Sequence, residues 1–348
     1  MVLRGGSSKG LYFVRDDLPP DEGARDDLLL RIMGSPDERQ IDGLGGAHPL
    51  TSKVAIVGHS ARPGIDVDYQ FLQIGVAESL VSDRQNCGNL LAGVGPFAIE
   101  RRLVAVDTEA TEVRIRIHMV NTATTAVAAV PVADGAPVYD GNTAISGVPG
   151  TAAAIRLEFD DIAGGSTGAL LPTGAPVDTI DGVACTLIDN GMPVVVMRAD
   201  ALGVGGHESC GELESNTALR TRLESIRLEA GRRMGLGDVR DTTIPKLTLV
   251  AEPVDGGQLS TRTFIPHRCH DAIGVLGAVS VATAALLPGT PAAEVARPGS
   301  AGRVVLEHPT GLFEAAVSVT IAGDVATVDR AGIVRTARKL MDGDAFAR

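Results

Sequence analysis

Four short stretches of the chain carry residues that could do chemistry. Cys87 stands between Asn86 and Gly88-Asn89, where polar sequence turns into the small apolar run Leu90-Leu91-Ala92-Gly93-Val94. A cysteine at a helix start meets free backbone N–H groups and the positive end of the helix dipole, which favour the thiolate, the reactive form. A small hydrophobe capping a core helix would look the same, so this stretch leaves both readings open. Lys53 opens the apolar run Val54-Ala55-Ile56-Val57. It is either an edge lysine whose ammonium reaches back to water or, facing a pocket, an amine whose burial favours the neutral form and makes a general base. The run Gly5-Gly6-Ser7-Ser8-Lys9-Gly10 offers N–H groups, two hydroxyls and an ammonium to an anion. It lacks the spacing of a nucleotide-binding phosphate loop, and a plain hairpin turn with a solvated lysine accounts for it equally. In His267-Arg268-Cys269-His270 the spacing is too tight for a usual zinc site and no fourth ligand is apparent, so no metal is expected and the histidines read as capping groups ahead of an apolar helix.

Composition narrows the setting. A chain of 348 residues exceeds one average domain, and 44% hydrophobic residues guarantee a core. Aromatics make up 3% and there is no Trp, so the core is packed from Ala, Val, Leu and Gly. A formal net charge of −12 without a basic run argues against nucleic acid or an anionic membrane as partner. The four cysteines, Cys87, Cys185, Cys210 and Cys269, are widely spaced in a chain that shows no signal peptide, which points to a reducing, cytoplasmic setting. Ile273 to Leu287 is too short and too rich in Gly, Ala and Ser for a membrane span, and reads as a buried helix.

The elements that must position these residues follow from local signals. Asp21 to Met33 reads as a helix stopped by Gly34-Ser35-Pro36, and Thr217 to Met234 as an amphipathic helix capped by Asn216. Asp66 to Ile74 alternates as a strand, and the helix after Cys87 places Leu90, Leu91, Val94, Phe97 and Ala98 on one face. Val113 to Asn121 alternates strictly, with Arg114, Arg116 and His118 on one face. That face is a candidate carboxylate site or, more commonly, an exposed strand face. Arg303 to Val328 reads as hairpins and Ala331 to Asp344 as a closing strand with a basic segment, Arg335-Thr336-Ala337-Arg338-Lys339. Each half of the chain runs strands, a motif and then a small-residue helix. Cys87-Gly88-Asn89-Leu90 can be laid beside Ala272-Ile273-Gly274-Val275 without gaps, a weak internal repeat that puts Ala272 opposite Cys87.

Taken together, Leu3-Arg4-Gly5-Gly6-Ser7-Ser8-Lys9-Gly10, Gly34-Ser35-Pro36, Leu50-Thr51-Ser52-Lys53-Val54-Ala55, Asn86-Cys87-Gly88-Asn89, Asp189-Asn190-Gly191-Met192-Pro193 and Phe264-Ile265-Pro266-His267 resemble the 2-methylaconitate isomerase (PrpF) family over nearly the whole chain. The tracts around Ile155 to Phe159, Gly168 to Gly174 and Ile188 to Val195 look most like its 4-oxalomesaconate tautomerases of aromatic-acid degradation. The resemblance implies an α+β, diaminopimelate-epimerase-like fold of two pseudo-symmetric domains, each a curved sheet around a central helix, with the active site in the cleft between them. We expect domains at 1–150 and 151–325, with 326–348 a closing segment that can return to the first domain. The activity implied is an isomerase without a cofactor, moving a proton on a small unsaturated di- or tricarboxylate. A homo-oligomer is allowed by this reading and not required.

The family's general base falls on Lys53 and its cysteine on Cys87. Its anion loop falls on Gly6, Ser7, Ser8 and Lys9, where the family has Thr in place of Ser7, so the hydroxyl is kept. Arg4, Ser52, Asn86, Gly88, Asn89, Asn190, Met192, His267 and Arg268 complete the expected substrate contacts. A two-thiol racemase would need a cysteine at the mouth of each central helix. Ala272 stands opposite Cys87 and Cys269 lies three positions earlier, so one lysine and one thiol make the better pair. Isomerisation of 2-methylaconitate in propionate breakdown is the competing enzyme reading. A non-catalytic accessory protein is the reading from another class, and it would need a large exposed apolar patch.

Overall fold

The computed structural model describes residues 1–83, 87–159, 162–323 and 325–347. The chain divides into two units, residues 1–160 with 334–348, and residues 161–333. The first break therefore falls after residue 160, where the sequence suggested 150.

The first unit contains β1 (Val2–Gly5), β2 (Ser8–Val14), α1 (Glu22–Met33), β3 (Lys53–His59), β4 (Val67–Ile74), β5 (Val81–Ser82), α2 (Gly88–Glu100), β6 (Glu112–Met119), β7 (Thr124–Ala133), β8 (Ala136–Pro137) and β9 (Ala154–Phe159). Helix α1 begins where the Asp21 carboxylate accepts from the Ala24 N–H, and ends at Gly34, which takes the left-handed φ of 77° that glycine adopts without strain. It packs Leu29, Ile32 and Met33 against Leu11, Val54, Ile56, Leu72 and Ile74. That leaves the opposite face of β2–β3–β4 for α2. The sequence suggested an apolar stripe on α2, but every residue from Leu90 to Ile99 is buried, because β1, β2, β3, β4, β7, β8 and β9 all touch the helix. On β6, Arg114 pairs with Glu158 of β9 at 2.6 Å, so that residue of the basic face is part of an exposed ladder.

The second unit contains β10 (Asp178–Ile180), β11 (Val183–Asp189), β12 (Pro193–Arg198), α3 (Cys210–Ser215), α4 (Thr217–Arg233), β13 (Lys246–Ala251), β14 (Leu259–Phe264), α5 (Val275–Leu286), α6 (Pro291–Val295), β15 (Val304–His308), β16 (Gly311–Ala322) and the start of β17 (Val325–Met341). Asn216 caps α4 by accepting from the Leu219 N–H, and the helix buries Leu219, Leu223, Ile226 and Ala230 in a cluster with β11, β12 and β13. Helix α5 is buried from Gly277 to Ala284 and touches β11, β12, β15 and β16.

The same series of pairings recurs in both units. Antiparallel, parallel, antiparallel, parallel and antiparallel ladders join β1–β2–β3–β4–β6–β7. They join β11–β12–β13–β14–β15–β16 in the same order. Helices α1 and α4 follow the second strand of each series, and α2 and α5 the fourth. Beyond Ile333, β17 pairs with β1 in the first unit, Gly5 lying opposite Ala337 and Arg4 opposite Arg338. Two consequences matter for chemistry. Lys53 and Lys246 each open the third strand of their series. The helix N-caps are Cys87 and Gly274, so the gapless sequence pairing, which set Ala272 opposite Cys87, is off by two residues.

Candidate active site

The N-terminal end of α2 gathers most of the expected groups of the first unit. Cys87 is the N-cap, half-buried, and its thiol makes no capping bond, so the sulfur is not spent on the helix. Two buried tyrosines hold the backbone there: the Tyr12 hydroxyl donates to the Leu90 carbonyl at 2.6 Å and the Tyr69 hydroxyl to the Cys87 carbonyl at 3.3 Å. Burial first, and then the charge of Cys87, push both phenols well above their ordinary range, so they stay protonated donors.

The β1–β2 turn lies on the first turn of α2. Gly6 has a φ of +52°, and a Cβ built on it would stand 2.3 Å from the Asn89 side-chain oxygen. Only glycine allows that approach. Asn89 donates from Nδ2 to the Ser7 hydroxyl at 3.2 Å and accepts at Oδ1 from the Arg335 guanidinium at 3.3 Å. Ser8 is 2% exposed, and its hydroxyl has no hydrogen-bond partner among the described residues. An orphaned buried hydroxyl costs about 1–3 kcal/mol, which a ligand accepting from it would recover.

Lys53 faces the same way. Because Val54 and Ile56 point at α1, the pleat turns Lys53 and Ala55 toward the α2 side, where Ala55 lies beside Tyr12 and opposite Phe71 in the ladders. Lys53 is 7% exposed; its ammonium donates to the Gln73 side-chain oxygen at 2.6 Å and lies 5.1 Å from the centre of the Phe71 ring. Gln73 is itself fixed, donating to the carbonyls of Pro49 and Ser52 at 3.1 and 3.0 Å. The lysine is therefore held in one position, not snorkelling.

Other expected contacts fall elsewhere. Asn86 lies outside the described residues. Ser52 is buried and its hydroxyl donates to Gln40 at 2.7 Å, an internal bond that orders the loop before β3. Arg4 and Lys9 point away from α2: their neighbours Gly5 and Gly10 meet Asn89 and Leu90, so the pleat sends Arg4 and Lys9 to the outer face. In the second unit, the Asn190 N–H donates to Ser280 and its Nδ2 to Thr283, while the Met192 carbonyl accepts from Ser280, all along the side of α5. His267 and Arg268 sit exposed on the turn after β14, with His267 3.7 Å from Glu224. Cys269 is packed in the α4 core beside Cys210, and burial pushes its thiol far up, so it is a core residue, not a second helix-cap thiol. Among the described residues no group of three His, Cys, Asp or Glu is placed to hold a metal ion.

Two residues escaped the sequence reading. Arg335, 8% exposed, follows the inward parity of β17 with Ala337 and Lys339, the last reaching Glu100 at the other end of α2. Its alternation within the basic segment was the available signal. Lys246 stands at the mouth of α5: a Cβ on Gly274, the N-cap, would lie 3.5 Å from its ammonium nitrogen. Burial holds its pKa below the ordinary lysine value. The signal was its position at the head of an apolar strand, as for Lys53.

A family model described as "PrpF protein" matches residues 1–348. The chain is 57% identical over 348 residues to (4E)-oxalomesaconate Delta-isomerase of Novosphingobium sp. (strain KA1), covering 99% of this chain and 96% of that protein. It is 54% identical over 345 residues to 4-oxalomesaconate tautomerase of Pseudomonas putida, covering 99% and 94%. Among solved structures, methylitaconate-delta-isomerase superposes with a TM-score of 0.87 at 35% identity, covering 98% of this chain and 93% of that one.

Proposed function

The chain belongs to the PrpF family of isomerases, and on that footing we propose that it shifts a proton on a small unsaturated tricarboxylate, 4-oxalomesaconate, without a cofactor. The fold is the diaminopimelate-epimerase type, a duplicated unit built on a buried helix. One observation carries the assignment of the site. A held lysine, a helix-cap thiol and a buried hydroxyl with no partner face the same end of α2.

The carbonyl or carboxylate conjugated to the substrate's alkene acidifies the neighbouring C–H bond. Lys53 in its unprotonated form takes that proton, and the electron pair moves through the conjugated unit onto oxygen as a dienolate. The first-turn N–H groups of α2, the hydroxyls of Ser7 and Ser8 and the Arg335 guanidinium stabilise the charge where it develops. Cys87 then donates its proton to the far carbon. Transfer from the Lys53 ammonium to the thiolate, through water, resets the pair, so nothing is oxidised or reduced.

The substrate is tested by following ultraviolet absorbance with 4-oxalomesaconate and 2-methylaconitate in turn. We expect kcat/KM at least about tenfold higher for 4-oxalomesaconate, the discrimination that one unmatched polar group supplies. A preference for 2-methylaconitate overturns the assignment.

A further inference from the structure

Arg4, Lys9 and Arg338 stand side by side on three neighbouring strands. The ladders set Arg4 opposite Lys9 across β1–β2 and opposite Arg338 across β1–β17. All three face away from α2, since the residues next to them, Gly5, Ser8, Gly10 and the buried Ala337, have the inward parity. Like charges directly opposite one another on a ladder repel. Burial, and then Arg338, already hold the Arg4 guanidinium below its ordinary pKa, and no carboxylate offsets them there. Among the described residues none of the three is ion-paired, whereas Lys339, next in sequence, reaches Glu100. Acid is not scarce in this chain, with 43 Asp and Glu against 31 Lys and Arg, so the bare row is a local feature.

An open cavity of about 260 Å³ lies over this row, flanked by the segment 143–152, which contributes Thr143, Ile145 and Thr151 to its wall. The segment is pinned at its ends by mutual backbone bonds between Thr143 and Ala152, both 3.0 Å. Two carbonyls, of Gly6 and Thr336, accept from one Arg4 nitrogen at 2.8 and 3.0 Å, fixing the guanidinium with other donors unspent. Strands lie about 4.8 Å apart, so the row from Lys9 to Arg338 spans roughly 10 Å. That spread suits carboxylates separated along a carbon chain better than the compact charge of a phosphate.

We propose that Arg4, Lys9 and Arg338, flanked by residues 143–152, form an anion site for a small polycarboxylate, separate from the proton-transfer site at α2. The proposal does not depend on which tricarboxylate the isomerase converts. The flanking segment connects the two places, because a Cβ on Gly147 would lie 3.4 Å from Ser7, whose hydroxyl accepts from Asn89.

Isothermal titration of the full chain with citrate, and separately with inorganic phosphate, tests this. Arg338 is exposed, so Arg338→Gln folds as the parent does, which a thermal melt verifies. The variant should bind citrate at least about tenfold more weakly, as expected for a lost charge contact, while kcat/KM stays within about twofold. Lys9→Gln should show the same loss of citrate binding. Unchanged citrate affinity in both variants overturns the proposal. So does phosphate binding tighter than citrate, or a fall in kcat/KM that parallels the loss of citrate in Arg338→Gln, which would make the row part of the catalytic site.

Discussion

The mouths of α2 and α5 are made by the same strand series and yet are furnished differently. Each has a lysine at the first position of the third strand, Lys53 in β3 and Lys246 in β13. Lys53 has Gln73 opposite it in the ladder, and the amide oxygen holds its ammonium. Across from Lys246, where the β13–β14 ladder begins at Leu247 and Phe264, the next residue is Ile265, which offers no side-chain acceptor. The α2 N-cap is a thiol and the α5 N-cap a glycine. Two tyrosines donate to backbone at α2, while at α5 the His270 ring accepts from the Ala272 N–H and is kept below its ordinary pKa by burial and by Lys246. The architecture alone therefore places a cation at a helix mouth, and among the described residues it is the α2 mouth that adds the thiol, the held lysine and the orphaned hydroxyl on which the proposed chemistry rests.

That difference is broken or sharpened first by the two lysines. Lys53→Met should lower kcat by about 10²–10⁴-fold, the range for loss of a general base. Lys246→Met should lower kcat/KM by about tenfold or less, mainly through KM, because it removes charge without removing a held base. Steady-state kinetics on both variants decides; equal losses in kcat would make the two mouths equivalent and end the comparison. The thiols come next. Cys87→Ser should lower kcat about 10²-fold with KM little changed, since a serine hydroxyl is a far weaker acid. Cys269→Ser should leave kcat alone and cost about 1–2 kcal/mol of stability by burying a hydroxyl in the α4 core. A Cys269→Ser enzyme with impaired kcat and an unchanged melt would contradict that division.

What the sequence made legible was local. Asp21 and Gly34 bracket α1 through cap chemistry that acts within one turn, and the position of Cys87 ahead of small apolar residues marks the start of α2. Less legible was which side of a strand each residue takes. Ser7, Ser8 and Lys9 read as one anion loop, but β2 already begins at Ser8, so the pleat parts Ser8 from Lys9. Arg335 was hidden because its partner Asn89 lies 246 residues away, beyond any periodicity or spacing rule. Helix α2 seemed amphipathic because its glycines and alanines count as weakly apolar, yet small residues are what a helix touched by strands on several sides requires. At Gly95, for instance, a Cβ would stand 2.6 Å from Val130.

The glycines at the two mouths give a smaller contrast. Gly6→Ala forces a methyl to 2.3 Å from the Asn89 oxygen at a φ of +52°. It should cost about 1–3 kcal/mol in a thermal or urea melt and lower kcat/KM, because Ser7 and Asn89 move with the turn. Gly274 has a φ of −67°, and its methyl would meet the Lys246 nitrogen at an ordinary 3.5 Å. Gly274→Ala should stay within about 0.5 kcal/mol. A Gly6→Ala enzyme as stable and active as its parent would mean that the turn does not order the α2 mouth.

The smallest effect expected is in the pH dependence of stability. Burial lowers the Lys246 pKa from its ordinary value of 10.5, so the folded chain releases this proton at lower pH than the unfolded chain does. Between the two values the unfolded state binds more protons, and stability attributable to Lys246 rises with pH. Below the folded value both states are charged, and the cost of burying the ammonium is present in full. It is relieved as pH climbs through the folded pKa toward 10.5. Lys246→Met removes this dependence, so its stability advantage over the parent should be largest at neutral pH and shrink in alkaline buffer. Urea melts of the parent and the Lys246→Met variant across the alkaline range measure the difference. A parent and a Lys246→Met variant whose stabilities run parallel with pH would show that the α5 lysine is solvated, and that the two mouths differ less than their partners suggest.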